Sequence, residues 1–371
     1  MCNACQSFNQ PNNPSEQTDA FADHLLTVLN NATLALMISI GHRTGLFDAM
    51  QDAHWIHTCE LAEKANLNKR YVQEWLGAMV TGNIIEINGP NESARYRLPP
   101  HHAEVLCQSG LAMGVVFQWI AVLAEVETKV VDAFKHGGGV PYEAYHRFHQ
   151  VMAEESALSV VAALHDNILP MIPDIKDKLT QGIDVLDIGC GSGKALCELA
   201  SSFPNSHFTG YDLCEPAISA ATCHAKSLNL SNVTFKQYDI TDMNLENQFD
   251  LITAFDVIHD QRDPVAVLAA VKRALKPEAN FLMQDLKCHT NIKDNINHPL
   301  CPFLYTISTM HCMTVSLAQG GLGLGAAWGE ELAVQMLNDA GFGNINVNTL
   351  PHDIQNNWYT MQKPACTLAN T

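Results

Sequence analysis

Cationic side chains are scarce in this chain. Its 371 residues carry 21 Lys and Arg against 39 Asp and Glu, a formal net charge of −18. Such a surface repels phosphate backbones and anionic lipid, which argues against nucleic acid or a membrane as the partner. Long apolar runs are missing too. The most apolar stretch, LAMGVVFQWIAVLAEVETK from Leu111, offers about 14 apolar-rich residues where a bilayer span needs ~20, and Gln118 interrupts it. A buried helix is the expectation there. The opening MCNACQSFNQPNNPSEQTD has neither the basic stretch nor the apolar core of a secretory signal, and its composition predicts a disordered tail over 1–19. Internal repeats are absent. Cysteine is plentiful at 12, but without the spacing of a small disulfide scaffold, so the thiols are expected reduced, in a cytoplasmic protein.

What is present divides into two textures. From Ala20 to about 110 the pattern is helical and then turns into a hairpin. ELAEKANLNKRYVQEWLGAMV sets Leu61, Ala65, Val72, Leu76 and Met79 at helical spacing, with NLN as the turn between two helices. IIEINGPNESARYRL alternates, breaks at Asn88-Gly89-Pro90, and alternates again, as a strand pair would. Two helices and a hairpin make a winged-helix pattern. Its second helix offers Lys69 and Arg70 beside Glu74, too little positive charge for a DNA reader. Residues 111–180 form a helical connector, interrupted by HGGGVPY; the stretch from Tyr145 has no strong breaker before Pro170. From 181 to 371 strands alternate with helices, which predicts a parallel sheet covered on both faces.

Chemistry concentrates in that second half. In DVLDIGCGSGKALCELA a buried strand runs into Gly189, Gly191 and Gly193 and then a helix, where glycines allow backbone to approach a ligand and the helix start offers free N–H groups. HFTGYD ends a second strand at Asp212, about 20 residues past the glycines, the position from which a carboxylate accepts ribose hydroxyls. VTFKQYD ends a third at Asp239, placed to bond an adenine amino group. FDLITAFDVIHD ends a fourth on His259. Acidic residues at successive strand ends on one side of a sheet compose a nucleoside site.

With these residues in hand, 183–285 resembles the class I S-adenosylmethionine-dependent methyltransferases, whose acidic-x-Gly-x-Gly-x-Gly core stands here as Asp187, Gly189, Gly191 and Gly193. The longer span of about 20–365 is similar to two-domain small-molecule O-methyltransferases with an N-terminal winged-helix dimerisation domain. That resemblance implies a Rossmann-like seven-stranded α/β domain, S-adenosylmethionine as cofactor, a small-molecule methyl acceptor and a homodimer. It implies that Asp212 holds the ribose, Asp239 and backbone Ile240 the adenine, and Gly189 and Gly191 the amino-acid end, with Asp187, Gly193, Leu213 and Phe255 among the cofactor contacts. Phe148 and Met152 match the helix over cofactor and substrate. His259 stands where the family carries its base, with Gln261 in place of a tryptophan. Asp285 replaces the glutamate that orients it, and the family's second glutamate has no counterpart near Ala327. The acceptor atom is expected to be oxygen, with sulfur or nitrogen as alternatives. A cofactor-binding winged-helix regulator without turnover is the alternative from another class.

Two clusters compete with this reading. Cys2 and Cys5 lack the further ligands of a zinc site. Cys288, His289, His298, Cys301, His311 and Cys312 fit no metal-ligand spacing and are expected to be pocket and core residues. The glycine-dense SLAQGGLGLGAAWGEE at 316–331 lacks the Lys-Ser/Thr ending of a phosphate loop and is expected to be a mobile flap.

Overall fold

The computed structural model describes residues 14–90 and 93–365. The chain forms two compact units, Met1–Ala121 and Val122–Thr371, and the boundary falls inside the segment read as a connector.

In the first unit a helix runs from Pro14 to Arg43, opened by proline with Glu16 in its first turn and closed by His42 and Arg43, as the helix dipole favours. Pro14 to Asp19, read from composition as the end of a tail, are thus helical. By length and composition alone this helix is long and apolar enough to cross a membrane. The two helices of the winged pattern are Thr58–Lys64 and Lys69–Thr81. Asn68 caps the second by accepting the Arg70 N–H at 2.9 Å, and Leu61, Val72, Leu76 and Met79 are buried while Ala65 is half-buried. Strands β1 (Ile56–His57), β2 (Glu86–Asn88) and β3 (Arg95–Arg97) pair antiparallel in the order β1-β3-β2. Arg70, one of the two cations on the second helix, is ion-paired with Glu74.

The second unit is a seven-stranded sheet of β4 (Asp184–Ile188), β5 (His207–Asp212), β6 (Val233–Gln237), β7 (Phe249–Phe255), β8 (Leu275–Leu286), β9 (Gly343–Leu350) and β10 (Asp353–Gln362). The order is β6-β5-β4-β7-β8-β10-β9, parallel through β8, with β10 antiparallel to both of its neighbours. Period-2 alternation sends Leu186, Ile188, Ile252 and Met283 to one apolar cluster and Val185, Leu251, Leu282 and Trp358 to the other. Both faces are therefore covered, as a Rossmann-like sheet requires. Because β4 pairs with β5 on one side and β7 on the other, the chain reverses direction of winding at β4. The crevice at the carboxyl ends of these strands is where such sheets bind ligands.

The long helix expected from Tyr145 to Pro170 is not continuous. An α-helix covers Phe148–Ser156, π-turns follow at Ala157–Val161 and Leu164–Ile168, and a 3₁₀ turn covers Leu169–Met171. Pattern reading finds helical periodicity but not a widened turn, which changes register without needing Gly or Pro.

Candidate active site

At the end of β4 the backbone enters the left-handed region three times, at Gly189 (φ 67°), Gly191 (φ 51°) and Gly193 (φ 69°). A Cβ on Gly193 would stand 2.6 Å from the Phe235 ring, so packing as well as φ demands glycine there. At Gly191 nothing lies within 4 Å of such a Cβ, and this point of the loop faces open space. Gly191 N donates to Asp212 Oδ2 and Cys214 N to Asp212 Oδ1, both at 2.8 Å. Each carboxylate oxygen thus keeps a lone pair while the two bonds fix its direction. Asp187 is buried; burial pushes its carboxyl up to about 7, against the Thr253 hydroxyl that donates to it at 2.6 Å.

β6 ends at Gln237, two residues short of the expected Asp239. Asp239 instead caps the 3₁₀ turn Ile240–Asp242 by accepting Thr241 N at 2.9 Å, with Arg262 3.6 Å from its other oxygen. Ile240 is buried, Leu213 is exposed, and the Phe255 ring lies 5.9 Å from Trp358.

The strand expected to run to His259 stops at Phe255. Asp256 follows at φ 55°, and His259 sits in the one-turn 3₁₀ helix Ile258–Asp260. The turn swings the ring under the carboxyl end of β8, where His259 Nδ1 lies 2.8 Å from Asp285 Oδ1. His259 is 3 % exposed and Asp285 0 %. Asp285 Oδ1 also accepts Leu286 N at 2.8 Å and the Trp328 indole N–H at 2.9 Å. An oxygen that accepts from every side makes Nδ1 the protonated ring nitrogen and leaves Nε2 as the lone-pair atom. The Cys312 thiol is the ring's other hydrogen-bonding neighbour. Burial opposes charging of the imidazole, but the Asp285 carboxylate and the Cys312 sulfur outweigh it and hold His259 well above its ordinary value.

Sequence reasoning missed Trp328. Its signal was present, a lone large aromatic in a glycine-dense segment. That segment is tied down where a flap was expected: Ser316 Oγ donates to Gln261 O at 2.9 Å, Leu322 N to Arg262 O at 3.1 Å, and Gly325 N to His259 O at 3.1 Å. Gly321, Gly323, Gly325 and Gly329 serve close approach. A Cβ on Gly321 would meet Arg262 O at 2.6 Å.

Facing His259 is an aromatic wall. Phe148 stacks on His311 at 3.9 Å and 7°, with Tyr142 and Tyr145 edge-on to the same imidazole at 5.4 and 4.8 Å. The Tyr142 hydroxyl donates to Asp260 Oδ2. Burial, with His259 and His149 nearby, holds His311 well below its ordinary value, so its ring is neutral. Met152 is half-buried on the helix of Phe148, which Lys194 Nζ anchors through Ala153 O at 3.0 Å. Of the six Cys and His residues at 288–312, His311 and Cys312 come to the site. His289 pairs with Glu331 at 2.7 Å on the surface, His298 accepts Leu300 N, and Cys288 and Cys301 are buried. Among the described residues no group of three or more His, Cys, Asp or Glu could hold a metal ion. The Cys2–Cys5 pair lies outside the described residues.

A glycine cradle, a strand-end carboxylate bonded to it and a second acidic cap compose a crevice whose donors and acceptors suit a nucleoside, and residues 179–355 match the family model described as a methyltransferase domain. Residues 179–355 are a methyltransferase domain. Residues 32–108 match the Rv2258c-like winged HTH domain. Methyltransferase ungE' of Aspergillus campestris is 23% identical over 276 residues, 71% of this chain and 76% of that protein. The malonyl-[acyl-carrier protein] O-methyltransferase of Bacillus cereus is 32% identical over 117 residues, 32% of this chain and 38% of that protein. Human N-acetylserotonin methyltransferase, solved in complex with S-adenosylmethionine, shares the fold with a TM-score of 0.67 at 17% identity, over 93% of this chain and 98% of that one. The open loop at Gly191 beside Asp212 leaves room for a nucleoside cofactor.

Proposed function

We propose that this methyltransferase acts on an oxygen of a small-molecule acceptor and that His259 is its general base. The observation that carries the reading is the buried His259–Asp285 pair, 2.8 Å apart, which commits Nδ1 and leaves Nε2 as the basic nitrogen of the neutral ring. When bound, S-adenosylmethionine supplies an electrophilic methyl on a good leaving group. Asp212 would hold its ribose, Asp239 and the Ile240 backbone its adenine, and Gly189 and Gly191 its amino-acid end, with Asp187, Gly193, Leu213 and Phe255 around them. Phe148 and Met152 would cover the acceptor together with His311 and Tyr142. Alignment of the reacting atoms is the larger part of the task. A hydroxyl must also lose its proton, and His259 Nε2 would take it. Asp285 and Trp328 would hold the ring in the tautomer that can. The relative from B. cereus, named an O-methyltransferase, agrees with an oxygen acceptor.

We further propose a homodimer through the helix Pro14–Arg43. Phe21, Leu25, Leu26 and Leu29 are between 52% and 62% exposed along it, more apolar surface than one helix leaves in water without a partner.

An acceptor screen with radiolabelled S-adenosylmethionine tests the reaction. A phenol or alcohol product formed by the wild type and lost in His259→Gln is the expected result. A product methylated at nitrogen, made equally well by both, would refute it.

A further inference from the structure

The carboxyl ends of β7 and β8 and the amino end of β10 beside them carry more hydrogen-bond acceptors than donors. Gln284 is 1% exposed and Asn356 3%. Gln284 Nε2 donates to Asp256 Oδ2 at 3.2 Å, and Asn356 Nδ2 donates to both oxygens of Asp353 at 3.1 Å. Among the described residues five oxygens here are buried with no hydrogen-bond partner: Gln284 Oε1, Asn356 Oδ1 and Asp256 Oδ1, and on the alternate residues of β8 and β10 Asp285 Oδ2 and Asn357 Oδ1. Register brings them together. Trp358 lies opposite Gln284 and Asn356 opposite Leu286, so both amides project from one face on neighbouring strands. Asp256 follows Phe255, which pairs with Gln284.

Buried acceptors are costly to leave unmatched, and the three that share the Gln284 face or are bonded to its amide call for a ligand rich in donors. Most of the charge around them is negative. Asp256 lies in the electrostatic reach of Asp285, Glu155 and Asp353, with His259 as the opposing group. A divalent ion is a poor fit. Asp353 already accepts from Asn356 and from the Trp358 indole, so one carboxylate oxygen and two amide oxygens remain on or bonded to the Gln284 face, against the six or more ligands such ions take. A protonated primary amine offers three N–H donors and one positive charge, which matches the set.

We infer that Asp256, Gln284 and Asn356 bind the ammonium group of the methyl acceptor, which is therefore a small molecule bearing a protonated aliphatic amine. The inference rests on the reading that the acceptor lies beside His259, three residues from Asp256. It adds the chemical class of the molecule and a group that fixes it in place. Burial and the Asp285 carboxylate push the Asp256 carboxyl well above its ordinary value, so a cation arriving there finds a carboxyl group that gains a partner by ionising.

The same chemistry exists on the cofactor, whose own α-ammonium is the competing source. The test is calorimetry on the full chain saturated with S-adenosylhomocysteine, using benzylamine and phenethylamine, each against its neutral alcohol counterpart. The amines are expected to bind roughly tenfold or more tighter than the alcohols, the worth of a charge-assisted contact. Asp256→Asn should erase that preference while leaving S-adenosylhomocysteine affinity unchanged. If Asp256→Asn does not fold, Gln284→Met removes a second acceptor and must also weaken amine binding. Amines that bind no better than alcohols overturn the inference. So do amines that bind by displacing S-adenosylhomocysteine, which would assign the oxygens to the cofactor. Failure of S-adenosylhomocysteine itself to bind would strike the methyltransferase reading instead, and is seen in the first titration.

Discussion

Replacing Asp212 by Ala tests the contact proposed to give the crevice its grip on a nucleoside. In the structure Asp212 Oδ2 and Oδ1 each hold one backbone N–H at 2.8 Å, from Gly191 and Cys214, and retain one lone pair apiece for ribose hydroxyls. Charge-assisted bonds are worth ~1.5–3 kcal/mol each. Allowing for overlap and water in the gap, the two ribose bonds together amount to about 2–3 kcal/mol. S-adenosylhomocysteine should then bind Asp212→Ala roughly 30- to 150-fold more weakly by calorimetry. The variant also frees two backbone N–H groups that water can reach, at about 1 kcal/mol, which is a thermal shift of roughly 2–4 °C for a unit of this size. A loosened glycine loop would lower affinity as well, so a second ligand is needed. The 2′-deoxy analogue of S-adenosylhomocysteine should bind the wild type more weakly than the parent compound. In Asp212→Ala that difference should vanish. An unchanged affinity for the parent compound, or an equal deoxy penalty in both proteins, refutes the ribose assignment.

Once an acceptor is found, His259→Gln should keep cofactor affinity and lose ~10²–10⁴ in turnover. The wild-type rate should rise with pH through a value above the ordinary histidine range, because the base acts once deprotonated and its neighbours raise its pKa; Asp285→Asn should move that limb to lower pH. The same raised pKa makes a stability statement: it contributes below about 6.5, the ordinary value, and fades as pH climbs through the folded one. Thermal melts should therefore show the stability gap between wild type and His259→Gln narrowing from pH 6 to pH 9. A constant gap would mean the pair adds no proton-linked stability. Trp328→Phe keeps the packing but removes an N–H from a buried carboxylate, and chemical denaturation should register a loss of about 1–3 kcal/mol. Light scattering of Leu25→Glu/Leu29→Glu should report a monomer where the wild type reports twice that mass.

The glycine loop and Asp212 were legible because their geometry is local. A turn that needs positive φ needs glycine, and a residue ending a strand lies at the sheet's edge wherever the sheet goes. Asp285 could be nominated but not placed, since its distance to His259 depends on how β7 and β8 pair and on the short 3₁₀ turn that moves His259 off the strand. Trp328, His311 and Cys312 were beyond pattern reading for a plainer reason. Each reaches the site from a segment with no periodic signal, and the contact is made across more than 40 residues of chain. The π-turns after Ser156 escaped because a widened turn leaves apolar spacing almost helical. The anchoring of the segment expected to be a flap could not be read from its composition, because glycine permits two opposite things, hinge freedom and close packing.

Asp285 Oδ1, with its three donors, also orders events in time. Every residue assigned to the nucleoside crevice has been made by the time the chain reaches Phe255, whereas the indole that completes the support of His259 arrives at Trp328, and β10, which borders β8, later still. During synthesis or partial unfolding from the carboxyl end, the molecule passes through a form whose crevice residues are present while its histidine ring lacks a fixed orientation. Such a species would retain cofactor without consuming it, so a binding assay and a turnover assay performed on the same damaged preparation would disagree, and the size of the disagreement would measure how much of the sample has lost the closing strands.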